Sequence, residues 1–196
     1  MKIENLNEKL FEASYANDTK QVKLLIKKGA DVNCKSENGD TPLHEAAIYN
    51  SLQVAKLLIE QGADVHAKDK DSETPLHYAA YKNSVEVTKL LIEKGADVNS
   101  KGEFKETPLH DAALFNSVEV AQLLLEKGAD VNWKTEDGDT PLHVAAYKNN
   151  VKVAELLIEQ GADVNCKNYR GDTPLHKAAY KNSVEVAELL KKHGAK

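Results

Sequence analysis

Apolar and polar positions along the chain follow a pattern that returns on itself. Leu43, Ala46 and Ala47 fall at the i, i+3, i+4 spacing of one narrow helical stripe. A second run, Val54, Ala55, Leu57, Leu58 and Ile59, covers a wider arc, as a helix packed on more than one side requires. Polar stretches rich in Asp, Asn and Gly separate such pairs and read as turns or short hairpins. The unit of two helices and a turn recurs every 33 residues: Thr-Pro-Leu-His begins at positions 41, 74, 107, 140 and 173, and Gly-Ala-Asp at 29, 62, 95, 128 and 161. No insertion or deletion breaks the register. One step back from Thr41 reaches Glu8, where Leu10 and Ala13 keep the apolar slots although Thr-Pro is absent, which predicts a degenerate sixth unit.

The ends of each helix are also written in the residues. Thr41 is a good N-cap, and Pro42 suits the first helical position because its missing N–H would have no partner there. The slot of Asn50 holds Asn in all six units, at 17, 50, 83, 116, 149 and 182. Asparagine is the commonest residue other than glycine to adopt the left-handed conformation that closes a helix. Ser51 is predicted to cap the second helix, and Gly62 to end it.

The run Thr-Pro-Leu-His-x-Ala-Ala, followed by Leu-Leu-Ile-x-x-Gly-Ala-Asp-Val-Asn at a period of 33, resembles the ankyrin repeat over essentially the whole chain. The resemblance implies an all-α solenoid of six stacked helix-turn-helix units with short β-turn or hairpin fingers. A single domain over 1–196 is expected, with units at about 4–36, 37–69, 70–102, 103–135, 136–168 and 169–196. Two departures stand out. Asn-Ser replaces the family's usual Gly-His between the helices, and the turn glycine present at Gly39, Gly138 and Gly171 is Ser72 and Lys105 in the middle units. The end units are atypical, as terminal repeats must be to cover the apolar faces of a stack. Lys191 replaces the aliphatic residue of Ile26, Ile59, Ile92, Leu125 and Ile158, while Glu8, Lys9 and Ser14 alter the first unit. A self-capped module is expected.

Composition narrows the function. Hydrophobic content of 41% supports a core, and a net charge of −5 supplies no basic face to displace counterions from phosphates, so nucleic acid is not an expected partner. The N-terminus lacks the apolar stretch of a signal peptide. No apolar run approaches the roughly 20 residues of a membrane span, and lipidation signals are absent. A soluble intracellular monomer, in cytoplasm or nucleus, is expected.

Candidate chemistry is sparse. His44, His77, His110, His143 and His176 recur one unit apart, and packed helices lie ~8–10 Å from each other. Ligands of one zinc ion must each lie ~2.0–2.1 Å from it, so neighbouring histidines do not share a metal. The resemblance implies instead that each imidazole braces its threonine and turn. Cys34 and Cys166 stand four units apart, roughly 40 Å at that spacing, and are expected to be free thiols in a reducing compartment. No Gly-rich phosphate loop or acid–base constellation is present, so neither an enzyme nor a cofactor is expected; a metal- or thiol-dependent enzyme is the remote alternative. Asn33, Asn99, Asn132 and Asn165 are read as structural turn residues bonding local backbone. The family resemblance also marks them as asparaginyl-hydroxylase substrates where a leucine such as Leu25 or Leu124 lies upstream.

The informative variation lies on the first helix of each unit. Slots 45, 48 and 49 fall opposite the stripe of Leu43, Ala46 and Ala47 on a helical wheel, and yet they are rich in large residues. Tyr49, Tyr78, Tyr81, Leu114, Phe115, Tyr147 and Tyr180 occupy them, and Phe104, Trp133 and Tyr169 sit in the turns. Trp133 falls in a slot otherwise held by Cys34, Ala67, Ser100 and Cys166, and is expected to project. These ten residues are the predicted protein-binding set, because exposed apolar patches and aromatic anchors mark interfaces. Tyrosines of adjacent units packing on one another is the competing structural reading, and the two are compatible. In the ankyrin family these positions line a concave groove, about 60 Å long for six units at ~10 Å each. Lys35, Lys68, Lys101, Lys134 and Lys167 flank it, and Asp40, Glu73, Glu106, Asp139 and Asp172 would pair with them or with a partner, although a solvated charge ladder is the favoured expectation. The expectation is therefore a module that binds a protein partner of unspecified identity. The alternative is a consensus-like engineered scaffold without a natural partner, which the near-identical copies favour and the irregular turns oppose.

Overall fold

The computed structural model describes residues 5–196. Twelve helices and no strand occur among the described residues, and the chain divides into two compact units, residues 1–97 and 98–196. Each unit is an all-α stack of three helix pairs, the helical-repeat solenoid architecture that the period predicts. In the first, the leading helices are α1 (Leu6–Tyr15), α3 (Pro42–Ile48) and α5 (Pro75–Tyr81), and the trailing ones α2 (Thr19–Lys27), α4 (Leu52–Glu60) and α6 (Val85–Glu93). In the second, α7 (Pro108–Phe115), α9 (Pro141–Lys148) and α11 (Pro174–Lys181) lead, and α8 (Val118–Glu126), α10 (Val151–Glu159) and α12 (Val184–Lys192) trail. Within each unit leading helices pack on leading helices and trailing on trailing. Leu43, Ala46, Ala47, Val54, Ala55 and Leu58 have no exposed surface. The alanines let helix axes approach, and each fully buried leucine contributes about 2 kcal/mol.

Histidine carries the helix starts. The Nδ1 of His44 accepts the Thr41 main-chain N–H at 3.0 Å, and the threonine hydroxyl lies 2.9 Å from the same nitrogen. This is a capping box with imidazole in the place of the usual Glu or Gln. It recurs at Thr74–His77, Thr107–His110, Thr140–His143 and Thr173–His176. With Nδ1 accepting, the ring proton resides on Nε2. That nitrogen donates to the carbonyl of the next repeat's turn: His44 to Glu73 at 3.2 Å, His110 to Asp139 at 3.2 Å and His143 to Asp172 at 3.0 Å. These three imidazoles therefore cap one helix and bolt on the following turn.

The asparagine slot behaves as predicted, with φ between 50° and 58° at all six positions. Ser51 does not. It occupies the N-cap position with ψ 70° rather than an extended backbone, and its side chain makes no capping bond. In the second unit the longer residue of this slot shows where the side chain goes. Asn150 donates to the carbonyls of Ala113 and Leu114, near the end of α7, the leading helix of the preceding repeat.

Each finger is a hairpin turn closed by two backbone hydrogen bonds, as in Gly39 N–H to Ser36 O (3.0 Å) and Ser36 N–H to Asp40 O (2.9 Å). Neighbouring fingers join through Lys70 N–H to Asn38 O, Glu136 N–H to Phe104 O and Tyr169 N–H to Asp137 O. The fourth turn residue is left-handed. Gly138 has φ +81°, and a Cβ there would lie 2.8 Å from the Tyr169 nitrogen. Ser72 (φ 61°) and Lys105 (φ 62°) hold the same turn without glycine, so the shape survives the substitution, at the cost of a strained backbone. Replacing either by glycine is expected to raise stability by roughly 0.5–1 kcal/mol, after allowing for the looser unfolded chain. Urea titration of the single variants measures this; unchanged or lowered midpoints would exclude stored strain.

The first pair departs from the repeat register. α1 starts at Leu6, earlier than the Lys9 slot that matches Pro42, because Asn5 caps it by accepting the Glu8 N–H at 3.3 Å. Ser14 is fully buried with its hydroxyl lacking a partner, so it does not provide the polar outer surface expected of a cap. In the last pair Lys191 is exposed as expected, but so are Ala179 and Val184, the latter 57% exposed.

Candidate protein interface

In the first unit Tyr49 and Tyr81 end their helices with exposed rings. Tyr49 meets Tyr15 edge-on at 4.5 Å between centroids, and the Lys82 ammonium lies 4.4 Å from the Tyr81 ring. Tyr78 is different. It is half-buried, packs edge-on against His44 at 5.0 Å, and its hydroxyl lies 2.5 Å from Asp40 Oδ1 and 2.8 Å from Asp69 Oδ2. Burial first, and then the two carboxylates, push its phenol well above the ordinary range. Tyr78 thus ties a helix to the finger layer and does not stand on the exposed face, in contrast to the wheel-based expectation.

In the second unit Phe104 projects from a finger, Phe115 and Tyr180 are exposed on their helices, and Tyr169 is 72% exposed on the finger two repeats later. Leu114 and Tyr147 are half-buried. The Lys181 ammonium lies 4.6 Å from the Tyr147 ring and 5.5 Å from that of Tyr180, and Lys134 lies 5.9 Å from Tyr169. A hydrogen bond from Lys181 holds the Tyr147 phenol below its usual range, and the same contact raises the ammonium. Trp133 does not project as expected. It is half-buried, its Nε1–H donates to Lys105 O at 3.0 Å, and Lys101 sits 4.3 Å over the indole. The indole's single donor and flat face fit the bare backbone of the preceding finger.

A cavity of about 520 Å³ opens between the fingers and α7 and α9. Phe104, Leu114 and Val144 give it apolar walls, and Glu106, Asp111 and Asp139 contribute carboxylates. No sequence pattern singled it out, although the 38-residue spacing between a helix slot and a finger acid was there to be read.

The remaining candidate groups are occupied structurally. No group of three or more His, Cys, Asp or Glu among the described residues is placed to hold a metal ion. Cys34 and Cys166 are free thiols, and burial pushes that of Cys34 up to about 11. The turn asparagines bond not local backbone but the next repeat: Asn33 donates to Gly62 O at 3.0 Å and accepts from Asp64 N at 2.9 Å, and Asn99, Asn132 and Asn165 do likewise. Lys35 and Lys134 donate to the carbonyls of Lys68 and Lys167, while Asp40 and Asp139 are engaged by Tyr78 and Lys177. Asp40 is buried, so the solvated charge ladder does not describe it. No helix among the described residues is long and apolar enough to cross a membrane.

No curated protein matches the chain. The family model for ankyrin repeats matches in three overlapping copies, over residues 10–102, 69–135 and 109–196. With the 33-residue register, the His-braced helix pairs and the linked fingers already in place, the chain belongs to the ankyrin-repeat family.

Proposed function

We propose that the chain binds a partner protein through the ends of its leading helices and its fingers. Ankyrin repeats are generally protein–protein interaction modules. The observation that carries the proposal for this chain is where its exposed apolar residues lie. Of nine large ones among the described residues, seven are aromatic: Tyr15, Tyr49 and Tyr81 in the first unit, and Phe104, Phe115, Tyr169 and Tyr180 in the second. All seven sit on leading helices or fingers. The trailing helices contribute only Leu24 and Val184 to that set. Rigid aromatic rings beside lysines supply apolar contact at low entropic cost, together with hydrogen-bonding heads.

The consensus-scaffold reading rests on the near-identical copies, and the strained Ser72 and Lys105 turns weigh against it. An idealised sequence carries glycine at such positions.

The test is a triple variant, Phe115→Ala, Tyr169→Ala and Tyr180→Ala. Each ring is exposed, so the fold is expected to lose less than about 1 kcal/mol. Hot-spot rings are worth about 2 kcal/mol each, so capture of partner proteins from a lysate is expected to fall at least a hundredfold. A capture profile indistinguishable from that of the parent removes this face from the proposal.

A further inference from the structure

Two places in the molecule show what fills the space beside a finger acid. In the first unit Tyr78 of α5 reaches back 38 residues to Asp40. In the second, Lys177 of α11 reaches back the same 38 residues to Asp139 at 2.8 Å, with both side chains about one-fifth exposed. The register sets Val144 of α9 against Glu106 in the same way. Valine ends one carbon beyond Cβ and carries no polar atom. Where those two slots are filled, the cavity of about 520 Å³ lies here, with Leu114, Val144 and Phe104 on its apolar side and Glu106, Asp111 and Asp139 as its carboxylates. Asp139 already holds Lys177, and Glu106 accepts the Phe104 N–H at 3.0 Å.

We infer that this cavity receives a lysine side chain from a basic segment of the partner protein. Its aliphatic stem lies along Leu114 and Val144, and its ammonium enters among the carboxylates, as Lys177 does one repeat later from within the chain. Long cationic side chains bury their stems on apolar surface and keep the charged head in a polar setting. Ammonium–carboxylate hydrogen bonds are among the stronger ones available, and a recess lined by one sign of charge concentrates the opposite sign. The inference rests on the protein-binding proposal above and specifies the chemistry of the partner.

The experiment titrates methyl-labelled protein with the acetylated, amidated peptide Gly-Ser-Lys-Leu-Lys-Ser-Gly, followed by NMR. Saturable shifts of the Leu114 and Val144 methyls are expected. They weaken at least tenfold when norleucine replaces both lysines, and vanish when glutamate does. The substitution Val144→Lys fills the cavity from inside, on the precedent of Lys177, and is expected to abolish the Leu114 shifts while far-UV circular dichroism is retained. Glu106→Gln weakens peptide binding at least threefold and covers the case in which Val144→Lys fails to fold. Equal binding of the norleucine peptide, no saturable shift with the lysine peptide, or Leu114 shifts that persist in a folded Val144→Lys protein would each overturn the inference. The two proposals fail separately. Partner capture that survives Val144→Lys but not the aromatic triple variant leaves the face and removes the pocket. Peptide binding lost in Val144→Lys, with capture unchanged in the triple variant, does the reverse.

Discussion

Replacing His143 with alanine is expected to destabilise the protein by roughly 3 kcal/mol. The imidazole has no exposed surface. Its Nδ1 accepts the Thr140 N–H at 3.1 Å, and its Nε2–H donates to Asp172 O at 3.0 Å. Loss of a helix cap costs about 1 kcal/mol. The Asp172 carbonyl keeps the Asn168 N–H at 2.9 Å but loses its second donor, which costs about 0.5–1.5 kcal/mol more, and the emptied ring volume adds to both. Urea titration measures the total, and amide exchange at Thr140 locates it. His143→Gln is expected to recover part of the loss, because a side-chain carbonyl accepts the cap N–H but does not reach the next repeat. A loss below about 0.5 kcal/mol in the alanine variant would mean that the bolt carries no weight.

Acid is expected to weaken both units for the same reason. Burial lowers the pKa of His44 and His143 below the ordinary 6.5, outweighing the carboxylates nearby that act in the opposite sense. As the pH falls through about 6.5 the unfolded chain takes up protons that the native imidazoles refuse. Stability present above that pH is therefore lost on acidification, and the loss ends only when the native rings protonate too. The slope is at most about 1.4 kcal/mol per pH unit for each histidine. Urea midpoints at pH 7.5, 6.0 and 5.0 are expected to fall in that order, and the fall is smaller in His143→Ala. A protein more stable at pH 5.0 than at 7.5 contradicts the neutral, accepting state of Nδ1.

The repeat, its caps and its turns were legible because each depends on residues within a few positions of one another. Thr41, Pro42, His44 and Asn50 declare a helix and its ends without reference to the rest of the chain. The face was half legible. A helical wheel orients Tyr78 and Tyr81 about their own axis, but it does not know that Asp40, 38 residues earlier, waits beside Tyr78. The same blindness led to the expectation that Trp133 projects, since its hydrogen-bond partner is the backbone of Lys105, 28 residues away. The spare slot at Val144 escaped notice because a cavity is the absence of a side chain, and it becomes visible only beside Lys177, which fills the equivalent space.

The left-handed asparagines bear on how the protein ages. Asparagine deamidates when the amide nitrogen of the following residue attacks its side-chain carbonyl and closes a five-membered ring. At all six positions that nitrogen is already committed. Asp18 donates to Ala13, Ser51 to Ala46, Ser84 to Ala79, Ser117 to Ala112, Asn150 to Ala145 and Ser183 to Ala178, each at 2.9–3.0 Å. Cyclisation requires this bond to break and the backbone to leave its left-handed well. Folding therefore protects, from a slow and irreversible loss of the side-chain amide, the six residues that close the leading helices.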